Sequence, residues 1–145
     1  MTVDRMDHVG VVVDDLEAAV GFFVELGLER LGGGSVEGEW VDRIVGLEGV
    51  RTDFAFVQTP DGNGRLELIR FHAPAGQGDE RDAPANTFGL RHLTFAVDDI
   101  DDSVARLQAH GAELIGEVVR YEDMYRLCYL RGPAGIIVEL TEQIG

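Results

Sequence analysis

Apolar and polar residues follow the same succession in two stretches of this chain. Residues 6–13 are rich in Val, which is typical of a β-strand, and apolar residues at helical spacing then predict a helix to about Leu26 that ends at Gly27. The succession returns in residues 90–109. In both copies two aspartates, which favour a helix N-terminus, separate the strand from the helix: Asp14 and Asp15, then Asp98 and Asp99. The chain therefore contains one unit twice.

Shorter apolar runs predict the strands that complete each unit. We expect them at residues 28–31, 50–59 and 65–71 in the first unit, and at 112–120, 124–131 and 136–141 in the second. Gly32 to Ser35 predict a loop, and residues 60–64 predict a tight turn. Apolar residues at helical spacing over 40–47 indicate a short helix or lid.

The chain length and the segment between the two units indicate the domain organisation. Residues 72–89 contain Pro and Gly and no periodic pattern, which is typical of a linker. A chain of 145 residues can form one domain with its own core. We predict one α+β domain over 1–145, with one βαβββ module at about 5–71 and another at about 90–142.

Four polar residues occupy matching places in the two modules. Alternate residues of a strand point to opposite faces, so His8 and His92 share faces with small residues, opposite faces of bulky apolar ones. Glu67 and Glu139 each lie between two apolar residues of a closing strand and point away from them. A carboxylate inside an apolar strand needs a partner, because burial of an unpaired charge is costly.

One divalent metal satisfies this requirement. Two neutral imidazoles and two carboxylates suit Zn²⁺, Fe²⁺, Ni²⁺, Co²⁺ or Mn²⁺ and balance the 2+ charge. We therefore predict a site with His8, Glu67, His92 and Glu139 as metal ligands. Four ligands leave two adjacent octahedral positions for neighbouring substrate oxygens, where the metal would stabilise an enolate. Glu67 or Glu139 would move the carbon-bound proton.

The other chemically active side chains have structural interpretations. His72 is predicted to lie at the surface, and His110 at a helix C-terminus, where its charge suits the helix dipole. Cys128 is predicted to be a buried small residue rather than a nucleophile. The aromatic residues are left open between core and substrate wall: Trp40, Phe54, Phe56, Tyr121, Tyr125 and Tyr129.

Charge and cysteine content exclude several classes of function. The formal net charge of −15 argues against binding to nucleic acid and to anionic membranes, which need a basic surface. A single cysteine permits no internal disulfide and fits a reducing compartment. The sequence shows neither a signal segment nor an apolar run long enough to span a membrane, so we expect a soluble cytoplasmic protein. The proposed metal chemistry predicts a small-molecule substrate.

The sequence resembles the vicinal oxygen chelate superfamily over residues 5–142. That superfamily includes glyoxalase I, methylmalonyl-CoA epimerase, extradiol dioxygenases, and the bleomycin and fosfomycin resistance proteins. The segments that carry the resemblance are HVGVVVDDL (8–16), RLELI (65–69), RHLTFAVDDI (91–100) and GPAGIIVEL (132–140). The resemblance implies paired βαβββ modules that form a cupped mixed sheet around one metal, with helices on the outer face, and it implies a homodimer.

The ligand set separates the members of this superfamily. His8, Glu67, His92 and Glu139 match the pattern of bacterial glyoxalase I, whereas the epimerase usually has Gln in place of Glu67. Bleomycin-binding members lack these ligands. Glyoxalase I usually has an arginine four residues after its first histidine, where this chain has Val12, so the resemblance argues against glutathione as the substrate.

The resemblance thus predicts a metal-dependent lyase or isomerase of the glyoxalase I or epimerase type. An Fe²⁺-dependent extradiol dioxygenase, which would use His8, His92 and Glu139, is an alternative from another reaction class. A metal-free resistance protein that sequesters a drug is the alternative without catalysis.

Overall fold

The structure is a computed structural model that describes residues 2–79 and 81–145. Over these residues it contains three α-helices and nine strands. The elements in chain order are β1 (Val9–Val12), α1 (Leu16–Leu26), β2 (Glu29–Glu37), α2 (Glu39–Val45), β3 (Arg51–Gln58), β4 (Arg65–Ala73), β5 (His92–Ala96), α3 (Ile100–Ala109), β6 (Glu113–Leu114), β7 (Val119–Tyr121), β8 (Tyr125–Arg131), a 3₁₀ turn (Pro133–Gly135) and β9 (Ile137–Gln143). The predicted α+β class is confirmed.

The chain divides into two compact units, one up to Gln77 and one from Gly78, which we call module one and module two. Module one has a four-stranded sheet in the order β1-β4-β3-β2, in which β1 and β4 are parallel and the other pairs are antiparallel. Module two has a sheet in the order β5-β9-β8-β6, with β7 also paired to β8. Its β5 and β9 are parallel, so the two sheets share one topology.

Each sheet is apolar on the face that carries its helix. In module one, α1 packs on β3 and β4, and Phe23, Val57 and Leu68 are completely buried. In module two, α3 packs on β9, with Leu107 and Leu140 completely buried. Each such side chain contributes roughly 1.5–3 kcal/mol on burial. The opposite face, which we call the open face, carries Glu67 in module one and Glu139 in module two.

The predicted helix caps are present in both modules. Asp15 accepts a hydrogen bond from the backbone N–H of Ala18 at 3.0 Å, and Asp99 accepts one from that of Asp102 at 3.0 Å. Gly27 ends α1 in the left-handed conformation, at φ 116°. In each pair of aspartates the second one, Asp15 or Asp99, caps the helix. The strand-to-helix connection therefore has the same geometry in the two modules.

The predicted loop over Gly32–Ser35 is wrong, because these residues lie inside β2. Gly33 pairs with Ala55, and a side chain at Gly33 would meet the Phe54 carbonyl oxygen at 2.3 Å. Gly33 thus permits a close approach of β2 to β3, and the glycines here lie in a strand rather than in a loop.

Smaller differences concern element ends. The predicted strand over 6–13 is shorter, and β4 extends through Ala73 into the segment predicted as a linker. The strand predicted over 112–120 forms two short strands, β6 and β7, and residues 115–118 belong to neither. The short helix predicted over 40–47 is confirmed as α2. Among the described residues, no helix has the length and apolar character needed to cross a membrane.

Candidate functional site

Each module places one histidine and one glutamate on its open face at the same relative position. His8 directly precedes β1, where Gly10 pairs with Glu67 of β4. His92 begins β5, where Thr94 pairs with Glu139 of β9. In both modules the glutamate therefore pairs with the residue two positions after the histidine, and strand alternation directs both side chains to one face.

In module one, His8 Nε2 lies 3.6 Å from Glu67 Oε1. The other ring nitrogen, His8 Nδ1, lies 2.7 Å from Asp7 Oδ2, and the imidazole packs edge-on against Phe56 with ring centroids 5.3 Å apart. The hydrogen bond to His8 is the main cause of a lowered pKa of Asp7. Asp7 and Phe56 thus fix the ring so that Nε2 faces Glu67.

In module two, His92 Nε2 lies 3.4 Å from Glu139 Oε1. His92 Nδ1 is 3.5 Å from the Tyr129 hydroxyl, and the two rings are tilted by 38° with centroids 5.1 Å apart. Thr94 donates a hydrogen bond of 2.7 Å from its hydroxyl to Glu139 Oε1. Phe56 and Tyr129 are equivalent residues, because each pairs with the glutamate of its own module.

The distances within each pair fit two ligands of a single metal ion. Separations of 3.4 and 3.6 Å exceed the roughly 2.7–3.2 Å that is typical of an N–H···O hydrogen bond. Ligand atoms held about 2.0–2.2 Å from one metal lie roughly 3.0–3.5 Å apart. The four side chains are 20 to 37% exposed, which leaves them accessible from solvent. The spacing within each pair therefore fits two ligands of a divalent metal.

Each pair is a two-residue group in its own module. Within residues 2–79 and 81–145, no group of three or more His, Cys, Asp or Glu side chains has a metal-binding arrangement. The prediction that His8, Glu67, His92 and Glu139 hold one metal therefore stays a prediction. The structure does bring His8 to Glu67, and His92 to Glu139, as strand alternation predicts.

Sequence analysis missed the residues that support the pairs. Asp7 precedes the predicted ligand and was assigned no role, yet its carboxylate contacts the imidazole of His8. Thr94 lies on the same strand face as His92, and only the register between β5 and β9 shows that it contacts Glu139. Parallel pairing of these strands was the missing information, since it places residues 45 positions apart side by side.

The structure shows the positions of three aromatic residues that the sequence could not assign to the core or to a substrate wall. Phe56 and Tyr129 contact the two histidines, whereas Trp40 is 59% exposed and lies outside the core. Cys128 is buried as predicted, and burial raises the pKa of its thiol. His110 caps α3, as predicted.

His72 contacts Asp53 at 2.8 Å, away from the His8–Glu67 pair. Asp53 also accepts a hydrogen bond of 2.6 Å from the Ser35 hydroxyl. These three side chains connect β2, β3 and β4 beside a cavity of about 370 Å³. Since Asp53 receives both contacts and Ser35 does not contact His72, the cluster lacks the paired nucleophile and base of a hydrolase.

Comparison with known proteins identifies the family. Residues 7–129 match the Glyoxalase/Bleomycin resistance protein/Dioxygenase superfamily, and the chain belongs to it. The resemblance seen in the sequence is thereby confirmed. A glyoxalase family protein from Bacillus cereus, known from a crystal structure, is 48% identical over 100% of this chain and 97% of its own, with a TM-score of 0.96.

Two curated relatives are uncharacterised bacterial proteins. YwbC of Bacillus subtilis strain 168 is 29% identical over 142 residues, which are 96% of this chain and 98% of the relative. YaeR of Escherichia coli strain K12 is 36% identical over 85 residues, which are 57% of this chain and 61% of the relative. The chain thus matches somewhat less than two thirds of YaeR and nearly all of YwbC.

A more distant structure shows what a protein with this fold can bind. The fosfomycin resistance protein FosX from Listeria monocytogenes is 14% identical, with a TM-score of 0.62 over 97% of this chain and 93% of its own. It was crystallised in a mutant form with Mn(II) and dihydroxypropylphosphonic acid. At this identity the likeness shows the fold alone, and the superfamily contains both metal-dependent enzymes and resistance proteins.

Proposed function

We propose that this chain is a divalent-metal-dependent lyase or isomerase of the glyoxalase or epimerase type. In this proposal His8, Glu67, His92 and Glu139 are the metal ligands, and the substrate is a small molecule with two neighbouring oxygens. The observation that carries it is the repeated pair, with Nε2 to Oε1 distances of 3.6 and 3.4 Å at one register in both modules.

The total charge of the four proposed ligands supports the binding of a divalent metal between the histidines and the glutamates. Two neutral imidazoles and two carboxylates carry a total charge of −2, which a divalent ion balances. When bound, such an ion would act as a Lewis acid and lower the energy of an enolate formed from the substrate. The Mn(II) complex of FosX supports this proposal as a case of the same fold with a divalent metal.

The supporting contacts favour different tasks for the two glutamates. Thr94 holds Glu139 by a hydrogen bond to Oε1, whereas Glu67 pairs with Gly10, which has no side chain to hold it. A carboxylate that moves between two positions is better suited to carry a proton. We therefore assign Glu67 as the base that takes the carbon-bound proton, and Glu139 as a fixed ligand.

In the proposed site, two aromatic rings form an apolar wall beside the metal ligands. Phe56 packs against His8, and Tyr129 against His92, on the face where the glutamates lie. An apolar wall next to a carboxylate base reduces its hydration, which strengthens its interactions with a substrate.

We also propose that the protein is a homodimer. Trp40 and Ile44 of α2 are 59 and 72% exposed, and they lie one helical turn apart. A second copy that covers these side chains would remove apolar surface from water. Analytical ultracentrifugation should then give about twice the chain mass of 15.8 kDa, and Trp40→Glu should shift it to the monomer.

The metal content of the purified protein, by mass spectrometry, tests the proposed function. We expect about one divalent metal per site in the unmodified protein, and near-complete loss in Glu67→Ala and His92→Ala. His72→Ala is a matched control, because it removes a histidine of module one that contacts Asp53. Full metal content in His92→Ala would contradict the four-ligand site.

A metal-positive protein would then be screened with dicarbonyl–thiol adducts and acyl-CoA thioesters. Proton exchange with solvent deuterium at the reacting carbon is the expected signature of the enolate. Oxygen consumption with catechols and Fe²⁺ would instead show a dioxygenase. Absence of metal after reconstitution would reject the enzyme and make drug binding the next assay.

A further inference from the structure

An arginine shares the open face of module one with the His8–Glu67 pair. Arg65 lies two residues before Glu67 on β4, so strand alternation directs the two side chains to the same face. On β3, Gln58 pairs with Arg65 and Phe56 pairs with Glu67. Arg65 and Glu67 are thus neighbouring side chains on the same face of β4.

Two neighbours hold this guanidinium in place. Arg65 Nε and Nη2 donate hydrogen bonds to Gln58 Oε1 at 3.2 and 3.1 Å. Its central carbon lies 5.8 Å from the centroid of the Phe56 ring, which also packs against His8. The two hydrogen bonds use two of the five N–H donors of the guanidinium, so three donors remain for a further partner.

The charge of Arg65 is unusual for its surroundings. The chain has a formal net charge of −15, and the acidic residues Asp7 and Glu67 both lie near Arg65. Such a surface repels anions unless a fixed cation offsets the repulsion. A guanidinium recognises carboxylate and phosphate oxygens through paired hydrogen bonds.

We propose that the substrate of this site carries an anionic group that Arg65 binds, in addition to the two neighbouring oxygens directed to the proposed metal. The inference rests on the proposed function and adds the substrate class, a small organic acid. Arg65 is then a specificity-determining residue, and Gln58 and Phe56 position its guanidinium.

Hydroxamates provide the test, because they present two neighbouring oxygens to a metal. The probes are the mono-hydroxamates of malonate, succinate and glutarate, each of which keeps one free carboxylate. Each is compared with the neutral hydroxamate of equal length in which that carboxylate is replaced by a carboxamide. Calorimetric titration of the Mn²⁺-loaded protein should show at least one acid bound about tenfold more tightly than its amide. In Arg65→Gln the ratio should fall to about one, and Arg65→Lys should keep part of it.

Arg70→Gln is the matched control, because it removes a positive charge from β4 on the opposite face. It should keep the full preference for the acid. Metal content and the unfolding temperature of each variant show whether the fold survives.

The outcomes separate the two proposals. Equal binding of acid and amide by the unmodified protein, or a preference that persists in Arg65→Gln, would overturn the role of Arg65 while the metal site stands. Hydroxamate binding that does not depend on metal would reject the proposed function, and the substrate class with it.

Discussion

The two modules hold the same pair of side chains but support different members of it. In module one the histidine is fixed, because Asp7 lies 2.7 Å from Nδ1 of His8, while Glu67 pairs with a glycine. In module two the glutamate is fixed by the Thr94 hydroxyl at 2.7 Å, while Nδ1 of His92 has a longer contact of 3.5 Å with the Tyr129 hydroxyl. The two modules thus share one strand register but differ in the contacts that support the pair. This difference is consistent with a mobile Glu67 and a fixed Glu139.

The strongest test of this difference exchanges the two glutamates for glutamine. Glu67→Gln should keep most of the metal but lower proton transfer by about 10²–10⁴-fold, because the amide is no base. Glu139→Gln should mainly weaken metal binding, because it replaces the fixed ligand. Competition with a metal chelator and deuterium exchange into the substrate measure the two effects. Equal behaviour of the variants would contradict the division of tasks.

The next test concerns the histidines. Asp7→Asn should lower metal affinity by about tenfold to hundredfold, since a carboxylate on Nδ1 orients the ring and raises its basicity as a ligand. Tyr129→Phe should change the affinity less than threefold, because the 3.5 Å contact is at the limit of a hydrogen bond. Chelator competition again gives the measurement. A larger effect of Tyr129→Phe would show that the two histidines are supported alike.

A third test moves the threonine from one module to the other. Gly10 corresponds to Thr94, and a side chain there would meet only Ile69 Cδ1 at 3.8 Å, an ordinary contact. Gly10→Thr should thus be tolerated, should hold Glu67, and should lower turnover several-fold with unchanged metal content. Thr94→Val should weaken metal binding by a few-fold. Turnover that is unaffected by Gly10→Thr would argue against a mobile Glu67.

The comparison also shows what sequence reasoning could reach. Strand alternation correctly predicted the faces of His8, Glu67, His92 and Glu139, because apolar neighbours such as Leu66 and Leu68 determine which face is buried. The register between strands remote in sequence was not predictable, and Thr94 was missed for this reason. The Gly32–Gly34 segment was predicted as a loop from its glycine content alone. Its strand conformation depends on pairing with β3, which the local composition does not show.

The smallest expected effect concerns Asp53 of module one, whose carboxylate contacts Ser35 and His72. The pKa of Asp53 is lowered, first by the hydrogen bond from Ser35 and then by that from His72. A carboxyl whose pKa is lower in the folded than in the unfolded chain stabilises the fold above the unfolded value of 3.8, and this contribution disappears as pH falls through the folded pKa. Asp53→Asn should therefore be less stable than the unmodified protein in urea at pH 6, and the difference should shrink below about pH 4. Asp82→Asn, at an exposed position outside this cluster, is the control. A difference that stays constant with pH would show that Asp53 contributes through packing, not through its charge.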